Sequence, residues 1–195
     1  MYQFQTSGTK VYSSYDYQTK YLNYGGRYYY NNDSTDWSYQ GSSSYKGNSV
    51  YDTVSYQYSG SQDFSDTTTY QYGKDSYSYK SIGQSTYDQK GSVMPRNDYW
   101  YQSGDDYYQS TVTVPLVSDF SCNSNAGIGA DIMVRITYVS GRETITYRQG
   151  GQEGTFEIDY GNGECDNKIT IIENGNVIVV DLSKDWPVLT ASVNP

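Results

Sequence analysis

The sequence predicts an all-β fold, an antiparallel meander or sandwich with a Tyr-rich N-terminal sheet and a hairpin-built C-terminal part. Three observations carry that expectation. Tyr supplies 26 of the 195 residues, and many lie two apart: Tyr15 and Tyr17, Tyr28 and Tyr30, Tyr56 and Tyr58, Tyr70 and Tyr72, Tyr77 and Tyr79, Tyr99 and Tyr101. A spacing of two puts both rings on one face of a strand, whereas on a helix it turns them about 200° apart. Charged residues make up 18% and the remainder is rich in Ser, Thr, Gly, Asn and Gln, a composition that resists helix and suits sheets. Finally, glycines recur at Gly25-Gly26, Gly41, Gly47, Gly60, Gly73, Gly83, Gly91 and Gly104. Read as turns, they predict a run of short antiparallel strands.

The composition changes near Thr111, with 23 of the 26 tyrosines before it. We therefore divide the chain into residues 1–110, rich in Tyr, Ser and Gly, and residues 111–195, with conventional aliphatic alternation; the two can also form one continuous β domain. In the first part aliphatic residues are scarce, so a tyrosine layer stands in for the usual core. Cross-strand ring pairs contribute roughly 0.2–1 kcal/mol each, and the hydroxyls stay wet. Such rings serve either as core or as a binding surface.

In the second part, 131–138 reads as a strand with Ile132, Val134, Ile136 and Tyr138 on one face. The stretch 139–142 reads as a tight turn, and 143–147 as the strand pairing back. A loop over 149–154 leads to a strand over 155–160, with Phe156, Ile158 and Tyr160 together. Beyond Gly161 and Gly163, a strand over 168–172 meets Asn174-Gly175, a type I′ hairpin signal because both central residues need φ > 0. The returning strand, 176–182, is apolar on both faces, so each side should be covered.

Net charge is −9 with no histidine. An acidic chain repels phosphate backbones, which excludes nucleic-acid binding by counterion release. No stretch approaches 18 apolar residues, so no membrane span is expected. The N-terminus enters strand-like sequence at once; the composition favours a mature exported segment over a cytoplasmic chain. Cys122 and Cys165 are the only cysteines. In an exported chain they form one disulfide, with two reduced thiols as the alternative.

Thr113-Val-Pro-Leu-Val-Ser-Asp-Phe-Ser-Cys122 and Phe156-Glu-Ile-Asp-Tyr-Gly-Asn-Gly-Glu-Cys-Asp-Asn167 together resemble the C-terminal part of secreted and cell-surface β proteins of Bacteroidota. Those carry a "TPLV…C" segment, then "IDYGDGxCDN", a strand, an "NG" turn and a last strand. Val114 and Asn162 depart from the pattern, at places where Thr and Asp are common. The resemblance covers about the last 75 residues and implies a fold and a location, extracellular or cell-surface, more than an activity. It also implies O-glycans at Asp-(Ser/Thr)-(aliphatic or Thr) triplets, which marks Ser34, Thr53 and Thr67. Asn32-Asp-Ser34 is in addition an N-glycosylation sequon, relevant in a eukaryotic secretory context.

Without histidine, Ser-His-Asp, Cys-His and His-metal sites are impossible. Asp105, Asp106, Asp159 and Glu164 are the remaining carboxylates for glycosidase-type chemistry, but nothing separates them from solvated turn residues. The chain is read as no enzyme and as needing no cofactor. Asp159, Asn162, Glu164 and Asp166 surround a Gly-rich turn and are a weak calcium candidate, lacking EF-hand spacing; the alternative is a plain hairpin loop.

Low charge, high β-propensity and sparse prolines leave strand edges without the usual protection against pairing. Tyr2 and Phe4 at one end, and Trp186, Val188 and Leu189 at the other, are candidates for strand exchange between copies. Packing of the tail on its own domain is the alternative. The expected function is a subunit of an extracellular bacterial filament or surface layer, with itself as partner. The alternative is a glycan-binding module using Tyr and Trp rows, with a polysaccharide as partner.

Overall fold

The computed structural model describes residues 2–30, 33–72, 74–124 and 138–182. Within them the fold is all-β. Eleven antiparallel strands follow one another in sequence order across a single open sheet that does not close into a barrel. They are β1 (Tyr2–Ser7), β2 (Lys10–Tyr30), β3 (Asp33–Asp52), β4 (Gln57–Tyr72), β5 (Asp75–Asp88) and β6 (Gly91–Ser103), then β7 (Asp106–Asp119), β8 (Tyr138–Gln149), β9 (Gln152–Asn162), β10 (Lys168–Glu173) and β11 (Asn176–Asp181). A 3-10 turn, Phe120–Ser124, follows β7. The meander expectation is met; no second sheet faces the first among the described residues.

The strands are far longer than the glycine spacing predicted. β2 has 21 residues and β3 has 20, where about 5–6 is usual. Gly25, Gly26, Gly41, Gly47, Gly60 and Gly83 lie inside strands, Gly91 opens β6, and Gly104 (φ 58°) makes a turn. The interior glycines have a different task. Gly47 pairs with Tyr15, Gly60 with Tyr87, Gly83 with Phe64 and Gly154 with Tyr147. In each pair a Cβ on the glycine would collide with the partner's ring. The ring therefore lies over the bare backbone of its neighbour, filling the gap a glycine would otherwise leave in a strand.

The true reversals use other chemistry. Asp52 accepts hydrogen bonds from the amides of Val54 (2.9 Å) and Ser55 (3.4 Å), and Asp88 from those of Lys90 (2.7 Å) and Gly91 (3.1 Å). Side-chain oxygens of this kind imitate a backbone turn. Tyr56 has φ 58° and sits in the turn after β3, so it does not share a strand face with Tyr58 as expected. Asn174-Gly175 (φ 49° and 80°) closes the two-residue hairpin expected there, and Gly150-Gly151 (φ 58° and 80°) closes another where a loop over 149–154 was expected, so that β9 begins already at Gln152.

Residues 139–142 do not form a turn. They belong to β8, which runs unbroken through Gly141. At φ 110°, Gly141 lies against the Pro115 carbonyl where a Cβ would not fit, and the β7–β8 register shifts around it. The glycine is a bulge that bends the strand without reversing it. Most of the expected strand 131–138, with Ile132, Val134 and Ile136, lies outside the described residues. Position 111 falls within β7, and strand pairing continues across it without interruption.

A small aliphatic core occupies the C-terminal part. Leu116, Tyr160, Ile169 and Val180 are buried, with Met94, Val112, Tyr138, Ile158, Ile171 and Leu182 packed around them. The disulfide Cys122–Cys165, Cα atoms 5.3 Å apart, ties the turn after β7 to the loop before β10. Closing a loop of this length stabilises by about 3–4 kcal/mol in the chain-entropy account. The last strand is not covered on each side as expected. Val180 is buried, but Val177, Ile178 and Val179 stay 62%, 57% and 61% exposed, because β11 is an edge strand of a single layer.

Ring-over-glycine packing predicts unequal costs for added methyls. Gly83→Ala meets both the Phe64 ring and the Arg96 carbonyl, and should destabilise by roughly 1–3 kcal/mol. Gly154→Ala meets only the Tyr147 side chain, whose hydroxyl end can swing aside, and should cost clearly less. Urea unfolding of both variants measures the difference.

Candidate functional site: the aromatic face of the sheet

Residues directly opposite in an antiparallel pair lie on the same side of the sheet, so the register assigns every strand position to a face. Tyr15, Tyr45, Tyr51, Tyr58, Phe64, Tyr70, Tyr72, Tyr77, Tyr79 and Tyr87 fall on one side. Tyr99, Tyr101, Tyr108, Tyr147, Phe156 and Tyr160 continue that side. The other side carries Ser, Thr, Gln and charged residues, with Tyr12, Trp100 and Tyr107 as its described rings. One strand's alternation is thus repeated in register by the next, and the sheet becomes amphipathic with tyrosine as its apolar component.

Across β4 to β9 the rings form a row. Tyr79 is opposite Tyr101, Tyr101 opposite Tyr108, and Tyr108 opposite Tyr147. Tyr70 stacks on Tyr79 (6.4 Å, 29°), Tyr99 meets Tyr108 edge-on (6.1 Å, 64°), and Tyr147 contacts Phe156 (6.0 Å). Toward the opposite ends of the strands Tyr58 meets Tyr87 (6.4 Å), and in the core Tyr138 meets Tyr160 edge-on (5.2 Å). Offset and edge-to-face geometries at these separations are the favourable ones, about 0.5–1.5 kcal/mol each beyond area burial. Tyr70 nevertheless remains 44% exposed and Tyr72 46%.

Charge is sorted between the faces. Lys10, Lys46, Lys80, Arg96, Arg142, Arg148 and Lys168 all lie on the polar side. Arg96 pairs there with Asp98 (2.8 Å), and Arg142 with Asp159 (2.8 Å) and Glu157 (3.3 Å). The aromatic side holds carboxylates instead, and three of them accept from hydroxyls. Tyr45 donates to Asp66 (2.8 Å), Tyr147 to Glu173 (3.4 Å), and Tyr160 and Ser110 to Glu143 (2.5 Å each).

Burial and these carboxylates shift the phenols. Burial first, then the Glu143 charge and Tyr99, push Tyr108 up to about 12. Tyr160 and Tyr138 are raised by the same two causes, and Tyr99 by burial together with Tyr101 and Tyr79. Where the phenolate is disfavoured, the unfolded chain ionises first. The contribution of Tyr108 to stability is therefore complete below its unfolded value of about 10 and is lost as pH rises from there through about 12. Urea midpoints should fall steeply across that window, and Tyr108→Phe should flatten the fall.

The other expected sites are placed as follows. Asp159 accepts from the Gly161 amide (2.9 Å), Asn162 from that of Glu164 (3.3 Å) and Asp166 from that of Lys168 (3.1 Å). Their oxygens serve local turns, and the structure gathers no three-carboxylate group from them. Asp119, Cys122 and Cys165 do cluster, but the disulfide removes both thiolates as ligands. Asp105 and Asp106 sit at the β6–β7 hairpin, where Asp106 accepts from the Gly150 amide (3.0 Å). Thr53 is exposed in a turn and donates to the Thr9 carbonyl (2.6 Å); Thr67 is exposed on the polar face of β4. Ser34 lies at the start of β3. Tyr2 and Phe4 are in edge strand β1, with Phe4 73% exposed, while Trp186, Val188 and Leu189 lie outside the described residues.

Reasoning from the sequence found rings sharing a face within a strand but missed that neighbouring strands keep the same face. The signal was present in the interior glycines, which alternate in phase with the tyrosines of the next strand. No family model, curated protein or solved structure matches the chain. No described helix is long and apolar enough to cross a membrane.

Proposed function

We propose that the protein is a structural subunit of an extracellular bacterial filament or surface layer, joined to its copies by β-strand addition at the sheet edges. The observation that supports this most is the open sheet, with one edge that carries no cation and a second that is only partly blunted, by Lys20, Arg27 and a register shift between Tyr21 and Tyr24. On one side β1 pairs with β2 only as far as Tyr15, so the outer edge of β2 from 16 to 30 meets no strand among the described residues. On the other side lies β11, with exposed Val177, Ile178 and Val179 and no cation at positions 176–181. Soluble sheets ordinarily blunt such edges with Lys, Pro or bulges, because exposed amides and carbonyls template another strand.

A sheet that is one layer thick extends by edge pairing without a new core. Because the two edges differ, joining β11 of one copy to β2 of the next gives a head-to-tail contact that does not close, and hence a filament. The disulfide fits an oxidising compartment, and the C-terminal resemblance favours a bacterial cell surface. Tyrosine stacking then stiffens each subunit within the assembly.

Electron microscopy of the non-reduced protein over a concentration series should show fibres or sheets of constant width. Val177→Lys with Val179→Lys should leave the fold intact, since both sites are exposed, and should hold the protein monomeric in sedimentation. Monodisperse particles of the unsubstituted chain at every concentration would refute assembly by this chain alone.

A further inference from the structure

We infer that the ring row on β4–β9 is a binding platform for a neutral polysaccharide, independent of the edges that would join copies. Six strands at their usual separation make the row roughly 24 Å long, enough for several sugar residues in line. Its members are Tyr70, which is exposed, and Tyr79, Tyr101, Tyr108, Tyr147 and Phe156, which are partly buried by their neighbours and keep a smaller part of each ring at the surface. A pyranose ring presents C–H bonds on its flat face and hydroxyls around its rim. The C–H hydrogens carry partial positive charge and meet the negative face of an aromatic ring favourably.

Charge decides between the occupants of such a surface. A second copy packed ring face to ring face would bury Asp66, Glu143 and Glu173 of both copies, while every described strand Lys and Arg lies on the far side. Burying carboxylates with no counter-cation is strongly unfavourable. An anionic polymer is repelled by the same groups. A neutral glycan is not, because its hydroxyls donate to carboxylates, as the tyrosine and serine hydroxyls already do at Glu143. It also leaves the rim of the platform hydrated.

The polar face offers no equal. Its broad groove, about 700 Å³, is lined largely by small side chains such as Ser59, Ser61, Thr86 and Val93. Sugar stacking there has no row to follow.

Affinity electrophoresis of the full chain tests the inference. The probes are soluble neutral polymers (a β-1,4-glucan, an α-1,4-glucan and a β-1,4-mannan) and, as the anionic contrast, polygalacturonate. Retardation by at least one neutral polymer and none by polygalacturonate is expected. Tyr70→Ala, at the exposed end of the row, should weaken retardation about tenfold, and Tyr70→Phe should retain most of it. Running the edge-blocked Val177→Lys, Val179→Lys protein in parallel separates this reading from assembly, since glycan binding should survive there. No retardation by any neutral polymer, or equal retardation by polygalacturonate, would overturn the platform. So would burial of the ring row in a face-to-face dimer, seen as dimers that persist in the edge-blocked protein.

Discussion

Everything in this structure depends on the contact between a ring on one strand and the bare backbone or ring of the next. A sheet normally earns its stability by pressing one face against a second layer. Here the described residues form one layer, and in β2–β6 few aliphatic side chains exist to make another. Apolar area must then be hidden laterally, within the plane of the side chains. Tyrosine suits this because a ring laid flat across a neighbouring strand covers much of it, while the hydroxyl still reaches water or a carboxylate.

That constraint explains the strand lengths and the glycines together. Lateral packing works only where rings and gaps interdigitate in register, so each glycine at Gly47, Gly60, Gly83 and Gly154 has an aromatic partner directly opposite. A slip by one residue would move the rings to the polar side and leave the glycines uncovered. Register is thus specified by ring-glycine complementarity, where an ordinary sheet uses an aliphatic core. The β7–β11 part returns to convention, with Leu116, Ile169 and Val180 buried and the disulfide alongside. The sheet therefore has a conventional end and an aromatic body.

How much of this was legible beforehand divides along the same line. The spacing of Tyr70 and Tyr72, Tyr77 and Tyr79, and Tyr99 and Tyr101 gave strands with ring faces, and Asn174-Gly175 gave its hairpin. Gly41, Gly47, Gly60 and Gly83 misled, because a glycine signals either a turn or a close approach, and only the partner strand distinguishes them. Gly141 misled similarly, since φ > 0 serves a bulge as well as a reversal. The candidate site is a property of register across strands, which no single segment encodes. Its charge sorting was hidden for the same reason: Lys46, Lys80 and Arg148 share a face only once the strands are aligned.

The central claim is that lateral aromatic packing stabilises the sheet body as one cooperative unit with its aliphatic end. Native-state hydrogen exchange, resolved by strand, tests it most directly. The account predicts that interior amides of β4, β5 and β6 exchange only through global unfolding, with the same opening free energy as β7 to β9. If β4–β6 exchange far faster while β7–β9 stay protected, the rings do not replace a core, and the account is wrong.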